Sequence, residues 1–88
     1  EHDNNNYIAK QLPTGEYHIS ARMEIEKAND LLDIDLPESD DYLTVGGWIL
    51  NEYQSFPKLN EVIQCGNWNV KVTKKTANKI EEILLSHK

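Results

Sequence analysis

Tyr42-Leu43-Thr44-Val45-Gly46-Gly47-Trp48-Ile49-Leu50, followed by Phe56-Pro57-Lys58-Leu59-Asn60-Glu61-Val62, is the stretch that decides how this chain folds. Val45, Trp48, Ile49 and Tyr53 recur at helical spacing and would share one face of a helix over residues 43–53. Asp40 or Asp41 stands where a carboxylate can accept the free N–H groups of such a helix. The competing reading is a strand, favoured by Thr44, Val45, Trp48 and Ile49 and by the poor helix propensity of Gly46-Gly47. The period and the acidic cap favour the helix. Two adjacent glycines in it then imply a close approach by another backbone. Pro57 closes the segment, and an extended stretch follows.

Outward from this stretch the pattern is mixed. Residues 17–21 alternate as a strand, with Tyr17, Ile19 and Ala21 on one face. Residues 23–32 read as a helix, with Ile25, Ala28, Leu31 and Leu32 opposite Glu24, Glu26, Lys27 and Asp30. Residues 33–41 form an acidic loop in which Pro37 blocks any helical continuation. Residues 61–65 read as a strand. Gly66-Asn67 supplies a two-residue hairpin turn. In residues 68–73, Trp68, Val70 and Val72 alternate strictly with Asn69, Lys71 and Thr73. Residues 74–78 read as a polar turn. Residues 79–85 suit either a helix through Ile80, Ile83 and Leu84 or a strand with one irregularity. These elements make an α+β domain, an antiparallel sheet of about four strands with two helices packed on it.

Composition narrows the function. The chain has 88 residues and a formal net charge of −6, with a pI of about 4.9. It is one domain, with a core small enough that docking to a partner or a second copy would add to its stability. The acidity disfavours nucleic acid and anionic lipid as partners. No apolar run approaches the roughly 20 residues needed to cross a bilayer. The single cysteine, Cys65, rules out an internal disulfide framework and fits a reducing compartment. Residues 1–13 read as a linker or disordered tail, polar and rich in asparagine at the start, and residues 14–88 as the folded domain. The start, without Met, reads as that of a piece cut from a longer protein.

The residues with chemistry form no catalytic set. His2, His18 and His87 lack ligand spacing. Asp33, Asp35, Glu38, Asp40 and Asp41 do not match an EF-hand loop and are more simply a solvated loop with a helix cap. Cys65 in a strand reads as a small buried hydrophobe, its alternative being a thiol working with His18. Ser20, Ser39, Ser55 and Ser86 lack a nucleophile elbow. Gly46-Gly47 is not a dinucleotide fingerprint. Trp48 and Trp68 suit a core and an interface equally. No catalytic or metal-binding residue, and no cofactor, is expected, and cofactor-binding residues cannot be assigned from the sequence.

The order strand, helix, Asp35-Leu36-Pro37 in an acidic loop, Tyr42-x-Thr44-Val45-x-Gly47, Ile49-Leu50, Phe56-Pro57, Glu61-Val62, hairpin, Val70-x-Val72 resembles the transporter-associated domain, or CorC/HlyC domain. The likeness runs from about Gly15 to Leu85. The family commonly has Gly where this chain has Ala21 and Asn60, which bears on local turn geometry. The resemblance implies a fold similar to a subdomain of FAD-binding enzymes, and a strand over residues 79–85. It places the family glycine at Gly47, which is therefore expected to be the more sensitive of the pair. It further implies a non-catalytic regulatory or interaction domain on the cytoplasmic side of a bacterial inner-membrane protein of the magnesium and cobalt efflux or hemolysin-like kind. Its partners would be the preceding CBS pair, the membrane domain or a second copy. The alternative is a small-ligand domain for flavin or an adenine nucleotide, which rests on fold analogy. The chain is expected not to be an enzyme.

Overall fold

Alternation in the strands places the core on one face of an antiparallel sheet. The computed structural model describes residues 7–87. Its elements run β1 (Ala9–Gln11), β2 (Tyr17–Ser20), α1 (Ile25–Leu32), α2 (Val45–Tyr53), β3 (Val62–Cys65), β4 (Trp68–Lys75) and β5 (Ile80–His87). The strand order is β1-β2-β5-β4-β3. Val70 faces Leu85, Val72 faces Ile83, and Ile19 faces Ile83 from the other side. These residues, with Tyr17, Ile63, Cys65 and Trp68, form one buried cluster with Ile25, Ala28, Val45, Trp48 and Ile49 of the helices. Both helices therefore cover the same face of the sheet. The opposite face carries His18, Glu82, Leu84, Lys71 and Val62, as an antiparallel sheet with one solvated side permits.

The fold is the α+β arrangement expected, with five strands in place of about four. Residues 80–85 lie in β5, so the strand reading of that segment holds from Ile80 onward. The additional strand is β1, inside the stretch read as a linker or tail. Its local composition gives no strand signal. It is recruited because the outer edge of β2 offers free backbone groups, and Ala9 pairs with Ile19 and Gln11 with Tyr17. Residues 1–6 of that stretch lie outside the described residues. β4 also runs two residues past its expected end, because Lys74 and Lys75 pair with β5 across an irregularity after Val72.

Residues 43–53 are helical from Val45 onward, which settles helix against strand. The cap differs from the one expected. Thr44, not Asp40 or Asp41, is the N-cap, and its Oγ1 accepts from the Gly47 N–H at 3.1 Å. At the far end Tyr53 is 38 % exposed, so the last turn of α2 runs past the core it was expected to face. Leu31 of α1 is likewise exposed, while Ala28 and Ile25 are buried. Trp48 and Trp68 are both buried, which gives the two indoles core positions in this chain.

Asn29 organises the acidic loop that follows α1. Its Nδ2 donates to the Leu36 carbonyl at 3.0 Å and its Oδ1 accepts from the Leu36 N–H at 2.7 Å. Leu36 is thereby locked into the core, and Tyr42 Oη ties the loop down again by donating to the Pro37 carbonyl. Asn60, where glycine is common in the resembling family, has a φ of 66°. Asparagine tolerates that left-handed conformation better than most residues, so the turn survives the exchange.

Candidate functional site

The starts of the two helices are joined to each other. Ile25 N–H donates to the Leu43 carbonyl, and Val45 N–H to the Met23 carbonyl, each at 2.9 Å. Gly46 N–H donates to the Ala21 carbonyl at 2.8 Å. Gly47 N–H goes to Thr44 Oγ1, and Trp48 N–H to the Thr44 carbonyl. All the N–H groups of the first turn of α2 are thus used inside the chain. The end of a helix holds a phosphate only when those groups are free, so the Gly46-Gly47 turn has none to offer an anion. A groove of about 440 Å³ nearby is lined by Tyr7, Ala21, Arg22, Leu50, Lys79 and Ile80, among others. Arg22 lies over the Tyr7 ring at 5.8 Å.

The helix-covered and bare faces of the sheet separate the two residues that a thiol mechanism would need. Cys65 is wholly buried on the helix side, paired with Trp68. Burial and the nearby Glu52 carboxylate push its thiol up to about 11. His18 stands on the other face, where its Nε2 lies 3.0 Å from Glu82 Oε1. The structure therefore does not bring Cys65 and His18 together. His87, at the end of β5, stacks on Trp68 with ring centres 4.1 Å apart. His2 lies outside the described residues.

The acidic residues are dispersed along the loop. Among the described residues, no group of three or more His, Cys, Asp or Glu side chains is gathered as a metal site. Asp35 and Glu52 instead border a cleft of about 270 Å³ between the loop, α2 and the β3–β4 hairpin, with Pro37, Trp48, Cys65, Gly66, Asn67 and Trp68. Trp48 is wholly buried, and its Nε1–H has no hydrogen-bond partner among the described residues. Tyr42 has its hydroxyl held above the usual range, first by burial and then by Glu52 and Asp41. Tyr53 donates to Glu61, which raises the phenol; Glu61 also accepts from Lys58 N–H at 2.8 Å, and these bonds lower its carboxyl. That network fixes the turn from α2 into β3. Sequence reasoning had not singled out Asn29, Glu52 or the buried indole N–H, since each acquires its role only from neighbours distant along the chain.

The family model described as "Transporter associated domain" (CorC_HlyC) matches residues 10–88. The chain belongs to this family. The CorC_HlyC domain from Nitrosomonas europaea is 22% identical, with coverage of 96% of this chain and 100% of that one and a TM-score of 0.79. The region associated with a protein assigned to Mg2+ and Co2+ transport (CorC) from Neisseria meningitidis is 20% identical, covers 96% and 100%, and has a TM-score of 0.77. The transporter-associated domain of a CBS domain protein from Porphyromonas gingivalis is 23% identical, covers 88% and 93%, and has a TM-score of 0.73. At these identities the structures show that this CorC_HlyC domain shares their fold. No curated protein sequence matches it at a significant level. No helix of the described residues is long and apolar enough to cross a membrane.

Proposed function

We propose that this CorC_HlyC domain is a non-catalytic regulatory module on the cytoplasmic side of a bacterial inner-membrane ion-transport protein of the magnesium and cobalt efflux or hemolysin-like kind. It packs on the CBS pair of its own protein, or on a second copy of itself, and couples their state to the membrane part. The observation that carries this reading is the family match over residues 10–88, seconded by a same-fold domain from a CBS domain protein. Large apolar side chains left outside the core support it: Leu43 is 66 % exposed, Val62 59 % and Leu31 58 %. A partner that covered them would add the burial a domain of this size lacks.

Titration calorimetry and sedimentation test the reading. The chain is expected to bind the CBS part of its own protein or to self-associate, and to ignore flavin and adenine nucleotides. A strict monomer that ignores its CBS domains and binds flavin at about micromolar concentration would overturn it in favour of a small-ligand domain.

A further inference from the structure

The sheet ends in two edges of unlike character. β1 is three residues long with Lys10 at its centre, and α1 packs against it. Short length and a lysine are common guards against pairing with another chain. β3 forms the other edge, and Val62-Ile63-Gln64-Cys65 carries no charge, no proline and no register irregularity. Its ladder to β4 fixes which backbone groups point outward. Val72 N–H donates to the Glu61 carbonyl at 3.2 Å, so Glu61 bonds to β4. Bonded positions alternate in an antiparallel pair, so Ile63 and Cys65 also bond inward, opposite Val70 and Trp68. Val62 and Gln64 lie between these positions and turn their N–H and C=O groups to the open edge. Among the described residues, no loop, helix or further strand bonds to those four groups. Both side chains are exposed, Val62 to 59 %.

We propose that β3 pairs with β3 of a second copy of this chain, antiparallel about a two-fold axis, so that the two sheets join into one. The groups available set the register. Val62 of each copy faces Gln64 of the other, and Ile63 faces its own counterpart at the axis. Val62 N–H then donates to the Gln64 carbonyl across the axis, and Gln64 N–H to the Val62 carbonyl, so every outward group is used. The neighbouring registers fail. Val62 against Val62 would set Gln64 against Asn60, whose N–H is already bonded to the Val72 carbonyl and whose φ of 66° leaves the strand. Gln64 against Gln64 would set Val62 against Gly66, whose φ of 64° belongs to the hairpin turn. The occupant is a second copy because the edge is self-complementary under two-fold symmetry. The pairing also sets no like charges opposite one another: Glu61 faces Cys65, and its carboxylate is held by Tyr53 and the Lys58 N–H. In a chain of net charge −6, an uncharged edge is where two copies can approach. The contact rests on the function proposed above, in which self-association is one of the two modes, and names the surface that serves it.

The test uses the 88-residue chain. Sedimentation equilibrium from about 10 μM to 1 mM should show a reversible dimer, weak because one pair of edge strands buries less than a standard interface. The dimer should tighten as salt rises, since the two acidic copies repel. The Val62 and Gln64 amide protons should gain protection from hydrogen exchange as concentration rises, while Ile63, bonded inward, stays protected throughout. Gln64→Pro removes only an outward N–H, which an edge strand tolerates, and should weaken the dimer at least about tenfold. Val62→Lys should do the same, although it reduces the net negative charge by one. Gln11→Lys, the same charge change on the β1 edge, should dimerise at least as well as the parent. Circular dichroism separates lost pairing from lost fold, and should Gln64→Pro unfold, Val62→Lys and the exchange data on the parent still decide. For the register, Val62→Cys and Gln64→Cys chains are mixed under oxidation. Facing residues of a bonded pair stand about 5.5 Å apart at Cα, within reach of a disulfide, so the mixture should cross-link at least about threefold faster than either variant alone. A monomer throughout the range, a dimer that Val62→Lys leaves intact, or protection of Val62 and Gln64 only when the CBS part is added would each overturn the pairing. A monomer that still binds its CBS part overturns the pairing and leaves the functional reading standing. A β3-paired dimer that binds flavin at about micromolar concentration would support the pairing and overturn that reading.

Discussion

The Gly46 N–H donates to the Ala21 carbonyl at 2.8 Å, and this bond joins the start of α2 to the end of β2. A Cβ on Gly46 would stand 3.1 Å from that same oxygen and 3.3 Å from the Ala21 Cβ. The oxygen belongs to the backbone and is already bonded, so it cannot give way cheaply. Gly47 is half-exposed, and a Cβ there would meet the Tyr42 Cβ at 3.1 Å and the capping Thr44 Oγ1 at 3.3 Å. The burial of Gly46 and its approach to a backbone oxygen argue that Gly46, and not Gly47 as expected from the resemblance, is the more sensitive glycine. Gly46→Leu should destabilise the domain by about 1–3 kcal/mol more than Gly47→Leu in urea titrations. Equal midpoints would contradict the close approach.

Asn29 is the next sensitive position. Its amide satisfies both backbone groups of buried Leu36. Asn29→Ala leaves an N–H and a carbonyl without partners and should cost about 2–4 kcal/mol. Asn29→Asp keeps the acceptor for the Leu36 N–H and should cost less. Chemical denaturation of the two variants checks the order, and an Asn29→Ala variant as stable as its parent would remove the loop's anchor from the account.

Thr44→Ala should cost about 1 kcal/mol, because it removes the acceptor of the Gly47 N–H. Alanine at Asp40 or Asp41 should leave the melting temperature nearly unchanged, since neither carboxylate caps α2. A larger loss at Asp41 than at Thr44 would return the cap to the acidic loop.

The buried thiol gives the alkaline limb of stability a definite sign. Cys65 has its pKa raised from 9.0 to about 11 in the folded chain, so the folded state holds that proton more tightly than the unfolded state. The contribution is fully present below pH 9 and is lost as pH rises towards 11, by about 2–3 kcal/mol at most. The raised Tyr42 and Tyr53 hydroxyls act in the same direction at higher pH. Cys65→Ala should therefore lose less stability than its parent over that interval in melts taken across alkaline pH. At the acid end Glu61, held below 4.5, contributes stability that disappears as pH falls through its folded value. A parent chain with flat stability up to pH 11 would refute the burial argument.

Much of this protein was readable from local pattern. Trp68, Val70 and Val72 alternate with polar residues because one side of β4 is buried and the other is not, and the sequence records that directly. The helical period of Val45, Trp48 and Ile49 was equally legible, as was the Gly66-Asn67 turn. The family was legible for the same reason, since its marks are turn and core residues placed in order along the chain. What tertiary structure decided depends on groups far apart in sequence. β1 exists because β2 had an open edge, the reason for Gly46 is the carbonyl of Ala21, and the cap is Thr44 because the two helix starts bond across to one another. The buried indole N–H of Trp48, without a partner among the described residues, belongs to this second group. A sequence states which residues can be buried, but whether a buried donor finds an acceptor is settled only when the chain has closed around it.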